Sequence, residues 1–239
     1  MSNFRRPKNL TTRRMQETRP NPPKEHSTSP RPAREIRWNC PVAAKCGGCQ
    51  LTRLSYAEQL QWKQQRVTEL LDGICEVRPI LGMDDPFHYR NKVHAVLSVD
   101  KAGKPISGVY AMGTHRVVPV RHCLIEDRRA DRIIQTIVAM LPAYKLRIYN
   151  EYTHRGFLRH ILIRTGHVTG QIMVVLVATS LEFPGKKAFV QELIQRHPEI
   201  TTVVLNCNQR ETSMVLGTKE ITLYGDCLLY ASPSPRDTR

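Results

Sequence analysis

The stretch RHILIRTGHVTGQIMVVLVA, residues 159–178, contains two runs of aliphatic residues separated by a segment with a glycine at each end. Short apolar runs rich in β-branched residues and bounded by turn signals are typical of buried strands. The intervening GHVTG, residues 166–170, supplies the turn. The stretch therefore predicts two strands that follow each other closely in the second half of the chain.

Further strands are predicted on both sides of this stretch. They cover residues 92–99, 106–111, 115–120, 145–152, 201–207 and 221–224. The segment DKAGKP between the first two is a hairpin signal. Because strands occur in groups between single helices, the order predicts an α+β fold and not alternating parallel βα units.

Helices are predicted near residues 55–72, 126–141 and 185–196. The first begins with a capping box, in which Ser55 is followed three residues later by Glu58. An apolar stripe at helical spacing follows, which we expect to lie in the core. The stripe consists of Tyr56, Leu60, Val67, Leu70 and Leu71.

The charge of the chain favours a polyanionic partner. Its formal net charge is +15 and its pI is about 9.8, and ten of its 36 Lys and Arg residues lie within residues 1–37. Nucleic acid is the partner that this charge favours, while a merely solubilising charge or an acidic membrane surface are the alternatives. No apolar run reaches the roughly 18 residues of a membrane span, and the N-terminus has no apolar signal-peptide core. We expect a cytoplasmic protein without a membrane partner.

Composition divides the chain into four parts. Residues 1–37 are rich in Pro, Ser and Arg, and we expect a disordered basic tail there. Residues 38–125 are predicted to form a cysteine-rich cluster region with a helix and a small sheet. Residues 126–230 are predicted to form a mixed α/β central domain that binds RNA, and residues 231–239 a short tail.

Three cysteines of the segment NCPVAAKCGGCQ, residues 39–50, have a spacing typical of a metal site. Cys40, Cys46 and Cys49 are separated by five and then two residues. Structural zinc sites usually combine two close ligand pairs, whereas three local cysteines and one distant cysteine are common for a [4Fe-4S] cluster. Cys123 follows a predicted strand and is the candidate fourth ligand. The spacing alone leaves zinc and iron–sulfur both open.

Four segments together resemble one enzyme family. CPVAAKCGGCQLTRLSYAEQLQWKQQRV, DPFHYRNKV, HRVVPVRHC and RHILIR resemble, in this order, the iron–sulfur-containing uracil-C5-methyltransferases that act on 23S rRNA. The resemblance runs from about residue 37 to residue 230. It implies that Cys40, Cys46, Cys49 and Cys123 ligate a [4Fe-4S] cluster and that structured RNA, here rRNA, is the partner.

The same resemblance indicates what the chain lacks. Family members carry a Rossmann-like domain with a glycine-rich turn for S-adenosylmethionine, a cysteine in a DPPR-type motif and a late glutamate, and none of these motifs occurs here. We therefore expect the Rossmann-like methyltransferase domain to be absent and the chain to be an N-terminal portion, inactive alone. S-adenosylmethionine would bind the full-length member only, and a partner chain would supply the missing domain. The alternative is a stand-alone, metal-stabilised RNA-binding module without catalysis.

Six basic residues are candidates for RNA contact. Arg90 and Lys92 match the YRNK segment of the resembled family, and Arg116 and Arg121 precede Cys123. Arg159 and His160 lie on a predicted strand whose successive side chains point to opposite faces, so at most one of these two can face RNA. Phe87 and Tyr89 lie beside these charges, where their rings could stack on unpaired bases, although they could equally well lie in the core.

Overall fold

The computed structural model describes residues 38–211 and 214–225 of the 239-residue chain. The predictions for residues 1–37 and 231–239 lie outside the described residues. The helices are α1 (Ala43–Cys46), α2 (Tyr56–Leu70), α3 (Arg128–Met140) and α4 (Lys186–Arg196). The strands are β1 (Lys92–Val99), β2 (Pro105–Tyr110), β3 (Val117–Pro119), β4 (Leu158–Thr165), β5 (Ile172–Ala178), β6 (Ile200–Cys207) and β7 (Lys219–Tyr224).

The seven strands form one mixed sheet in the order β3-β2-β1-β4-β5-β6-β7. All neighbouring strands are antiparallel except β5 and β6, which run parallel and are joined through α4. A parallel pair needs such a crossover because its second strand must start at the same edge as the first. The stretch at residues 159–178 forms most of β4 and all of β5, at the centre of the sheet.

Both faces of the central strands are buried. Ile161, Ile163 and Leu176 belong to the larger core, together with apolar residues of α3 and α4. Leu162 and Val175, whose positions alternate with these, belong to a smaller cluster of buried residues. Because successive strand residues point to opposite faces, burial on both faces explains why β4 and β5 consist of continuous apolar runs.

The expected fold class is wrong. Strand β1 pairs with β4, so strands from before and after α3 belong to one seven-stranded sheet. The unit β5-α4-β6 is a parallel crossover, whereas the other five neighbouring pairs are antiparallel, so the sheet is mixed. Apolar runs predict that strands form, but their partners depend on tertiary contacts that periodicity does not encode.

Two local expectations also differ from the structure. Residues 145–152 form no strand and contribute only isolated bridges from Ile148 to Leu158 and from Asn150 to Arg155. The apolar stripe of α2 is not a core stripe along its whole length, because the side of the helix at Val67 and Leu70 is exposed. None of the described helices is long and apolar enough to cross a membrane.

Candidate functional site

The three clustered cysteines lie on a short, sharply turned segment. Cys40 accepts a backbone hydrogen bond from the N–H of Ala43, and the single turn α1 ends at Cys46. Gly47 follows in the left-handed conformation with φ of 66°, which glycine adopts without a steric cost. This turn lets the chain reverse between Cys46 and Cys49.

The segment around Cys123 is tied to residues 88–90 by backbone hydrogen bonds. The N–H of His88 donates to the carbonyl of Leu124 at 2.9 Å, and the N–H of Arg90 donates to the carbonyl of Ile125 at 2.8 Å. The backbone N–H of Cys123 donates to the Asp131 carboxylate at 2.9 Å. The turn before α3 is thus held from two sides.

All four cysteines of the predicted ligand set line one cavity of about 320 Å³. Cys123 is separated from Cys49 by more than 70 residues in sequence, yet the fold brings both to this cavity. The lining is mostly apolar and also includes Arg90, His122 and Glu126. All four thiols are free, since none forms a disulfide.

Burial favours the neutral form of two of these thiols. It raises the pKa of Cys123 to about 11, and it raises the pKa of Cys49, with further increases from the neighbouring Cys46 and Cys40. Metal binding would have to displace these protons, because the thiolate is the ligand.

The chemistry of the donor set fits an iron–sulfur cluster. Such clusters are held by four cysteine thiolates, and four free thiols surround this cavity. Among the residues that the structure describes, however, no three His, Cys, Asp or Glu side chains are grouped so that they could hold a metal ion. The [4Fe-4S] ligand set therefore stays a prediction.

Four of the six candidate RNA contacts are exposed. Arg90 lies just before β1, and Lys92 is the first residue of that strand. Arg116 and Arg121 lie on either side of β3. Arg90 also lines the cysteine cavity. These four side chains are accessible to a polyanion, and their contacts with RNA stay predictions.

Arg159 and His160 are buried, with only 4% and 6% of their surfaces exposed. The guanidinium group of Arg159 forms an ion pair with Glu151 and donates to the carbonyls of Asn208 and Arg210 at 3.1 and 2.8 Å. The His160 ring packs against the His94 ring at a centroid distance of 4.9 Å. Both stay predictions as RNA contacts, and their burial does not favour that role.

Two carboxyl groups next to Cys123 were not predicted from the sequence. Asp131 is 5% exposed and accepts the hydrogen bond from the Cys123 N–H, while Glu126 lines the cavity and hydrogen-bonds to Asp131. Burial raises the pKa of Glu126 to about 7, with Asp131 adding to this effect. A signal was present, because Asp131 shares the helical face of Ile134 and Val138, where an acidic residue is out of place.

Comparisons with known proteins identify relatives among RNA methyltransferases. The chain is 39% identical to an uncharacterized RNA methyltransferase of Clostridium tetani over 197 residues, which cover 81% of this chain and 43% of that protein. It is 36% identical to an uncharacterized RNA methyltransferase of Halalkalibacterium halodurans over 196 residues, which cover 80% and 43%. No family model matches the chain.

The fold is similar to part of a solved methyltransferase structure. This is the tRNA (uracil-54, C5)-methyltransferase of Pyrococcus abyssi in complex with S-adenosyl-L-homocysteine, at a TM-score of 0.56 and 22% identity, covering 78% of this chain and 42% of that one. This similarity to a methyltransferase fold contradicts the expectation that the Rossmann-like methyltransferase domain is absent. The chain spans about 43% of the length of its curated relatives.

Proposed function

We propose that this chain is the cluster-holding and RNA-binding part of an S-adenosylmethionine-dependent RNA (uracil-C5)-methyltransferase that acts on 23S rRNA in the cytoplasm. Relatives named RNA methyltransferases, matched over about four fifths of the chain, support the general activity. The uracil-C5 chemistry is supported by the fold similarity to an enzyme with that activity. The choice of rRNA over tRNA rests on the resemblance of the cysteine and YRNK segments.

The observation that carries the proposal is the convergence of Cys40, Cys46, Cys49 and Cys123 on one cavity. Thiols distributed around a cavity of about 320 Å³ suit a cluster better than a single ion, because a cluster presents four separate iron atoms to its ligands. Arg90 at the cavity would offset the negative charge that four thiolates bring. The proposed role of the cluster is to hold the loop and the Cys123 turn together.

The proposed RNA surface consists of Arg90, Lys92, Arg116 and Arg121. All four are exposed; Arg121 lies two residues before Cys123, and Arg90 lines the cysteine cavity. Phosphate contacts by such residues give affinity that falls with salt. Tyr89, which is 52% exposed beside Arg90, offers a ring on which an unpaired base can stack.

Methyl transfer to uracil C5 needs a thiolate that attacks C6, a methyl donor held in line and a base that removes the C5 proton. We propose these steps for the enzyme as a whole and assign to this chain the binding of the RNA. S-adenosylmethionine is the proposed donor, and a partner chain that supplies further catalytic parts stays a prediction.

Two measurements on the purified chain test the proposal. Anaerobic reconstitution with iron and sulfide should give brown protein with visible cluster absorption, and a colourless chain that binds only zinc would overturn the cluster. Fluorescence anisotropy at several salt concentrations should give tighter binding to 23S rRNA fragments than to tRNA. Equal affinity for both would overturn the assignment to rRNA, and an exposed-charge control, Lys187→Ala, should leave the affinity unchanged.

A further inference from the structure

Asp131 is a buried acidic residue that contacts one of the four cysteines without lining the cysteine cavity itself. Asp131 lies in the first turn of α3 and is 5% exposed. Burying a carboxylate is costly unless hydrogen bonds compensate for the lost water. The burial of the Asp131 carboxylate therefore has to be explained by the hydrogen bonds that it forms.

Two hydrogen bonds connect the Asp131 side chain with the turn before α3. Its carboxylate accepts from the backbone N–H of Cys123 at 2.9 Å. It also shares a hydrogen bond with the carboxyl group of Glu126, whose side chain lines the cavity. The acid thus connects a helix that is firmly packed in the core with the residue that presents the fourth thiol.

The turn is also fixed by backbone hydrogen bonds at residues after Cys123. Backbone hydrogen bonds from residues 88 and 90 reach the carbonyls of Leu124 and Ile125, and the N–H of Asp127 donates to the carbonyl of Arg90. The backbone N–H of Cys123 has Asp131 as its partner. Without that carboxylate the turn would keep its register at residues 124–127, but the Cys123 N–H would lose the hydrogen bond that ties it to α3.

We propose that Asp131 is a positioning residue that orients Cys123 toward the metal-binding cavity through its hydrogen bond to the Cys123 backbone. This inference rests on the proposed cluster. Groups behind the ligands of metal sites commonly contribute 10-fold to 100-fold to metal affinity. The proposal concerns the orientation of the ligand and no change in its protonation.

The test compares iron retention by the reconstituted chain under a chelator challenge. Asp131→Ala should release half of its iron at a chelator concentration about 10-fold lower than the wild type. Asp131→Asn should retain iron like the wild type, because its amide oxygen can accept the same hydrogen bond. The matched control is Gln135→Ala, one turn further along α3, where the side chain donates to Ser107 at 3.1 Å and contacts no cysteine.

The outcomes separate the two proposals. A wild-type chain that takes up no iron overturns the proposed cluster, whatever the variants do. A wild type that forms the cluster while Asp131→Ala retains iron equally well overturns the role of Asp131. A merely structural role would make Gln135→Ala and Asp131→Ala lose iron in proportion to their thermal stabilities, without rescue by Asp131→Asn.

If Asp131→Ala does not fold, Asp131→Glu provides the comparison. It keeps the carboxylate but moves its oxygens by one methylene group, so the folded variant should also lose iron more readily. Retention equal to the wild type in folded Asp131→Glu would overturn the proposal.

Discussion

Arg159 should contribute to folding, and its replacement by methionine should destabilise the chain strongly. The change removes an ion pair with Glu151, two hydrogen bonds to the carbonyls of Asn208 and Arg210, and a cation–π contact with Tyr149 at 4.5 Å. Breaking a buried pair from one side typically costs about 3–5 kcal/mol. Since the Glu151 side chain remains 27% exposed and can be hydrated, we expect a loss of about 3 kcal/mol in the free energy of unfolding.

The assay is urea unfolding of the metal-free chain followed by circular dichroism. The matched control is Arg116→Met, which removes the same charge from an exposed position and should change stability by less than about 0.5 kcal/mol. RNA anisotropy on both variants completes the comparison. Arg116→Met should weaken RNA binding, whereas folded Arg159→Met should bind almost normally. Unchanged stability together with lost RNA affinity in Arg159→Met would refute the reasoning and make Arg159 an RNA contact.

Three further outcomes test the fold and the site. Burial lowers the pKa of His160 to about 3, so below pH 6.5 the unfolded chain binds a proton that the folded chain does not. The free energy of unfolding should therefore fall by about 2 kcal/mol from pH 7 to pH 5, and urea unfolding of His160→Leu should lack this loss. Gly108→Ala would place a Cβ atom 1.9 Å from the Val118 carbonyl oxygen and disrupt the pairing of β2 with β3. The free energy of unfolding should fall by about 2 kcal/mol, and an unchanged urea midpoint would contradict this. Cys46→Ser should reduce iron content after reconstitution, whereas Cys207→Ser, a free cysteine outside the cavity, should not.

The sequence predicted most elements but not their arrangement. Strand β1 and the two central strands were found because their apolar runs are long and are bounded by turn residues. The pairing of β1 with β4 joins residues more than 60 positions apart, and no local pattern indicates it. The parallel pairing of β5 and β6 was missed for the same reason, because a helix between two strands is compatible with several topologies.

Part of the candidate site could be predicted from the sequence, because three of its four cysteines lie close together in the chain. The cysteine spacing indicated a metal site, and the position of Cys123 before a helix indicated a fourth ligand; the cavity that joins them agrees with that expectation without testing the metal. Buried carboxyl groups are harder to assign, since the position of Asp131 on the apolar face of α3 signals its burial but does not indicate which residue it contacts. The burial of Arg159 could not be read from the sequence, because its hydrogen-bond partners lie 8, 49 and 51 residues away.

The hydrogen bonds between residues 88–90 and the Cys123 turn limit how independently the two proposed sites can act. Arg90 contributes its N–H and its carbonyl to this ladder, and its side chain lines the cysteine cavity. A shift of the Cys123 turn must therefore move the Arg90 backbone, whereas Arg116, between β2 and β3, takes no part in this ladder. Loss of the proposed cluster should consequently reduce the contribution of Arg90 to RNA affinity more than that of Arg116. A double-mutant cycle of Cys46→Ser with each arginine substitution would measure this difference, and equal coupling for both arginines would mean that the ladder does not transmit the change.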